Sequence, residues 1–178
     1  MKFNLDFKID LEDGELMLTD ALAKVDEHRD SLKDPASWSG QLVITVNNDE
    51  MPADYDDPTI RLAAGWLRKV PWVISGDTET VALRNSEQCF AFVPTGDGVE
   101  ISFFEGSEAE IEEYVFEPTN VMLDDFAKQS IGVGERVLEL VRSVDESLLQ
   151  EDEDCKDLVI SLEEAQKAWH DYELHNRR

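Results

Sequence analysis

Acidic side chains dominate whatever chemistry this chain could perform: Asp and Glu number 41 of 178 residues, against 16 Lys and Arg. Their densest run is Asp49, Glu50, Asp54, Asp56 and Asp57, five carboxylates within nine residues that hold no base. Grouped carboxylates can bind a hard cation, but this run lacks the central glycine and terminal glutamate of a twelve-residue calcium loop. A long polar loop of this kind suits the gripping of a basic partner better. These five residues are therefore the candidate partner-binding set. The pairs Asp124-Asp125 and Glu163-Glu164 fall in the first turns of expected helices. Negative charge there complements the macrodipole, so capping accounts for them without catalysis.

The other reactive residue types are dispersed. His170 and His175 lie five apart, about 140° around a helix axis, and are poorly placed to share a metal. His28 stands beside Glu27. Cys89 sits in an apolar run and Cys155 in an acidic one; neither belongs to a CxxC pair, so no disulfide framework or zinc knuckle is expected. The strings GxxxxGK[ST], GxSxG and HExxH do not occur. Gly132-Val133-Gly134 is followed by Val137 where a dinucleotide fingerprint needs glycine. No catalytic residue, cofactor or metal is expected, and the chain reads as a non-enzyme.

The elements that must position these residues follow from periodicity. Phe3, Leu5, Phe7 and Ile9 alternate with polar residues, as in a half-buried strand. Leu22, Val25, Arg29 and Leu32 recur at helical steps from about Asp20 to Lys33, before Pro35. Residues 41–47 are a β-branched strand candidate, and residues 48–57 an acidic loop. Asp57-Pro58 has the form of an N-cap with proline at the first helical position. Ile60, Ala63, Ala64, Trp66, Leu67 and Val70 then continue a helix that Pro71 should stop or kink.

Short strands around Val81, at 89–93, at 99–104 and at 112–117 suggest an antiparallel meander, with Thr95-Gly96-Asp97-Gly98 as a hairpin turn and Gly106-Ser107 as a second break. Thr119 is the expected cap of a long helix reaching about residue 148, continuous or kinked at Gly132 and Gly134. After an acidic linker at 150–154, Ser161 and Glu164 form a capping-box pattern for a last helix. Trp66 is expected in the core, whereas Trp38 and Trp72 are candidates either for packing or for a partly exposed anchor.

The expected class is α+β: a five- or six-stranded, mostly antiparallel sheet with helices packed mainly on one face. Residues 1–150 form one domain in this reading, with 151–178 as a linker and a helix docked on it. Phe90, Phe92, Ile101, Phe103, Leu123, Phe126, Val137 and Val141 should share one core.

Charge narrows the function. The formal net charge of -25 is wrong for phosphate contacts or an anionic membrane surface, so neither nucleic acid nor membrane is expected as a partner. No run of about 20 apolar residues occurs, and the first residues interleave polar and apolar types rather than forming a secretory signal. A cytoplasmic setting is the expectation. Residues 58–106 hold six acids and four bases, so the meander looks nearly neutral beneath acidic flanks.

In layout, with the hairpin core running from Leu83-Arg84-Asn85-Ser86 to Phe103-Phe104, the chain resembles bacterial immunity proteins of polymorphic-toxin and contact-dependent-inhibition systems. The resemblance implies a small acidic cytoplasmic protein that neutralises a basic toxin, and it assigns no functional residue. Two other readings stand beside it. One is a DNA mimic of the anti-restriction type, needing carboxylates spaced like phosphates. The other is a halophilic acidic surface, where charge serves solubility.

Overall fold

The structure is a computed structural model and describes residues 2–176. It is α+β, with all strand pairs antiparallel and the strands divided between two sheets. The first sheet contains β1 (Phe3–Leu11), β2 (Gly14–Met17), β3 (Ser39–Val46), β4 (Asp49–Glu50) and β5 (Asp57–Pro58). Its order is β2-β1-β3-β4, with β5 also pairing with β3. The second contains β6 (Glu79–Ala82), β7 (Gln88–Thr95), β8 (Gly98–Ser107) and β9 (Glu110–Met122), in that order. The helices are α1 (Leu18–Ala23), α2 (Thr59–Ile74), α3 (Leu123–Asp145), α4 (Leu148–Glu151) and α5 (Glu153–Asn176).

Both sheets turn their apolar faces toward α2 and α3, and α5 packs across these two helices. The eight residues expected to share a core all belong to one buried cluster. Trp66 stands at its centre, 4.5 Å from the ring of Phe92 and 5.2 Å from that of Phe90. Its indole N–H donates to Ser130 Oγ at 2.9 Å, which satisfies two buried polar groups at once. Phe90 stacks on Phe103 across β7 and β8 at 4.4 Å. Trp38 is also buried and donates its Nε1–H to the Leu32 carbonyl. Trp72, by contrast, is 56% exposed.

Tertiary contacts also repair a sheet edge. Strand β2 pairs only with the second half of β1, which leaves Leu5 without a strand on that side. Helix α3 supplies the missing partners: Leu5 N–H donates to Gln129 Oε1, and Arg136 donates to the Leu5 carbonyl. Further along α3, a Cβ at Gly134 would stand 2.5 Å from Leu67 Cδ1, so the absent side chain lets α2 come close. The long helix runs unbroken through Gly132 and Gly134.

Several boundaries differ from expectation. The helix expected from about Asp20 to Lys33 ends at Ala23. Beyond it come Asp26, Asp30, Ser31 and Asp34, residue types that favour turns over helix interiors. The next turns are irregular, and Leu32 still reaches the core. Helix α2 continues through Pro71 to Ile74. Thr119 does not cap α3; it pairs with Ile101 inside β9, which extends to Met122. Pro118 is accommodated because β9 is an edge strand with a register shift between Ile101 and Phe103. Gly106 and Ser107 remain in β8, and the turn lies at Glu108-Ala109. Ser161 is buried within α5 and caps nothing; Asp152 does so, accepting the Cys155 N–H at 2.9 Å.

Candidate functional site

The 49–57 segment is held against the molecule from its middle. Tyr55 inserts its ring against Phe103 and Phe90, at 5.4 and 6.0 Å, and its hydroxyl accepts the Leu42 N–H. That burial raises the phenol well above its ordinary pKa. With Tyr55 pinned, Asp49, Glu50, Asp54 and Asp56 remain exposed. Asp56 faces Asp10, whose carboxyl is raised first by burial and then by Asp56 and Glu15. A cation brought here would relieve like-charge crowding.

Asp57 departs from the set. It is 3% exposed, unlike the other four, and does not cap α2. Its Oδ1 accepts the N–H groups of Arg84 and Asn85 at 2.8 and 2.9 Å, fixing the loop between β6 and β7. Burial nevertheless raises its pKa, with these two hydrogen bonds opposing the rise. The N-cap pattern in the sequence is real, but a loop 27 residues away takes the carboxylate first.

A second acidic surface is formed by the end of the β8–β9 hairpin. Between Arg84 and Lys128 the chain has no Lys or Arg. Glu105, Glu108, Glu110, Glu112, Glu113 and Glu117 are all exposed there, as is Ile111, at 47%. Dividing the chain's charge at residue 106 splits this arm and makes the meander look neutral. Counting bases between the turns would have revealed it. Among the described residues, strand β9 pairs with β8 alone, so the arm lies at the edge of its sheet.

Between this arm, β6, α2 and the start of α5 lies a cleft of about 920 Å³. Arg61, Arg68 and Lys69 enter it from α2, and Arg84 from the β6–β7 loop. Cys89 also lines it, buried, with its thiol 3.6 Å from the Gly106 carbonyl. Burial and then Glu108 raise its pKa, while Cys155 is pushed up to about 12, first by burial. Both thiols are thereby held protonated at neutral pH, unlike a nucleophilic cysteine. Both cysteines are free.

The histidines do not gather. His170 and His175 are exposed on α5 and His28 is half-buried in the turns after α1. Among the described residues, no three His, Cys, Asp or Glu side chains come together as a metal cage. Among the described residues, no helix is long and apolar enough to cross a membrane. Comparison with protein-family models, with curated proteins and with solved structures returns no match.

Proposed function

We propose that this protein works by binding a basic protein partner through its acidic arm, as an immunity protein would bind a cationic toxin. The observation that carries the reading is the arm itself: six exposed glutamates without a base, together with exposed Ile111, on an edge strand. An apolar anchor ringed by charge is the usual anatomy of a recognition patch. The same charges repel a second copy of the edge, so they block self-pairing without blocking a cationic strand or loop. Asp49, Glu50, Asp54 and Asp56 form a second anionic patch that would steer the same partner.

The test starts with the product of a neighbouring basic gene, asking first whether co-expression protects cells from it. Association kinetics then follow across a salt series. Glu110, Glu112 and Glu113 changed together to Gln should slow association about tenfold or more at low salt and flatten its salt dependence. Asp49, Asp54 and Asp56 changed to Asn should give a smaller effect of the same sign. An association rate indifferent to salt and to both sets of substitutions would defeat the reading.

A further inference from the structure

Helix α2 contains no Asp or Glu, although the whole chain carries -25. Its Arg61, Gly65 and Arg68 fall at i, i+4 and i+7, on one stripe, and all three line the cleft. Gly65 leaves that stripe open: the nearest atom to a Cβ placed there is Val81 Cγ1, at 3.8 Å.

The four cations in the cleft are not equivalent. Lys69 is paired with Glu79 at 2.8 Å, and Arg68 with Asp157 at 3.4 Å. The exposed Arg61 and Arg84 guanidinium groups make no ion pair among the described residues. Both residues meet at Asp57. That carboxylate holds the Arg84 backbone and lies within the electrostatic reach of Arg61. Asp57 thus fixes the Arg84 backbone beside Arg61 on the cleft wall, and two guanidinium groups free of ion pairs there suit recognition of a carboxylate or phosphate.

The arm wall of the cleft has the opposite sign. Glu108 there is hydrogen-bonded to Thr80, while Glu110 and Glu112 have no ion-pair partner among the described residues. A polyanion would meet this wall and the molecule's overall field, so a simple anionic ligand fits poorly. We propose that the cleft binds a small dipolar ligand, with a carboxylate or phosphate head between Arg61 and Arg84 and a cationic or donor-rich body against Glu110 and Glu112. The cleft volume falls within the range of small-molecule sites, roughly 300–1,000 Å³.

The test is an NMR titration of the full chain with acetate, inorganic phosphate and the dipeptide glycyl-lysine at constant ionic strength. Saturable shifts are expected in the amides of Arg84 and Asn85 and in the Nε–H signals of Arg61 and Arg84. The dipeptide should half-saturate at about one tenth of the acetate concentration or less. R61Q/R84Q should abolish the response to all three probes while keeping the remaining amide spectrum. E110Q/E112Q should remove the dipeptide's advantage over acetate. Shifts that never saturate, or that persist in R61Q/R84Q, overturn the site. Equal affinity for acetate and dipeptide overturns the dipolar class. These outcomes are independent of the partner proposal, because the probes are small molecules and R61Q/R84Q leaves the acidic arm intact.

Discussion

The carboxylate of Asp57 is an acceptor for two backbone donors, and that duty sets what a substitution will do. Burial raises its pKa, so the folded chain holds the proton at a pH where the unfolded chain has released it. Stability from this group therefore falls as pH rises from the ordinary value, 3.8, through the raised folded one. Asp57→Asn keeps an acceptor oxygen and removes the buried charge. Its stability at about pH 7 should match or exceed that of the natural chain, and the difference should vanish near pH 4. Asp57→Ala leaves both N–H groups without an acceptor and should cost about 1–3 kcal/mol. Urea unfolding at the two pH values checks both. An Asn variant as damaged as the Ala variant at neutral pH would show that charge, acting through Arg61, holds the loop.

Helix α3 connects the two sheets, touching β1 in one and β8 and β9 in the other while crossing α2. Its two glycines have opposite roles. A Cβ at Gly132 would meet Arg136 at an ordinary 3.5 Å, whereas one at Gly134 would press on Leu67. Gly132→Ala should therefore stabilise the protein by about 0.5–1 kcal/mol, through reduced freedom of the unfolded chain. Gly134→Ala should lose that gain and destabilise by roughly 1–3 kcal/mol, because Leu67 must leave its packed position. Thermal melts of the two variants decide the matter. Equal stabilisation by both would mean that α2 and α3 are less closely packed than the structure has them.

At the scale of the whole molecule, the net charge of -25 puts acidic elements against one another. Ion pairs do little to offset this: Lys128–Asp124, Lys156–Glu153, Arg29–Asp26 and Arg142–Glu146 are exposed pairs three or four residues apart, worth a few tenths of a kcal/mol each. Screening at about 0.15 M salt reaches in to roughly 8 Å and should relieve the repulsion. The melting temperature is accordingly expected to rise through the first few tenths molar of NaCl and then level off. A rise that continues into molar salt would instead favour an acidic surface adapted to high salt, with recognition no longer needed to explain the charge.

What the sequence determined by itself was the local face of each regular element. Period two put Phe3, Leu5, Phe7 and Ile9 inside, and period 3.6 put Phe126, Val137 and Val141 on the buried side of α3. These patterns are legible because burial is decided within a few residues along one element. Partnership across the fold is not. Asp57 reads as a helix cap until the loop at Arg84 folds onto it, and Thr119 reads as a cap until β8 pairs with it. The same holds for Asp152, which displaces Ser161 as the start of α5 because α5 continues back past Ser161 to Glu153. The cleft belongs wholly to the tertiary structure. Its basic wall comes from α2 and its acidic wall from a hairpin some forty residues later, and only the packing of the second sheet against α2 sets them face to face.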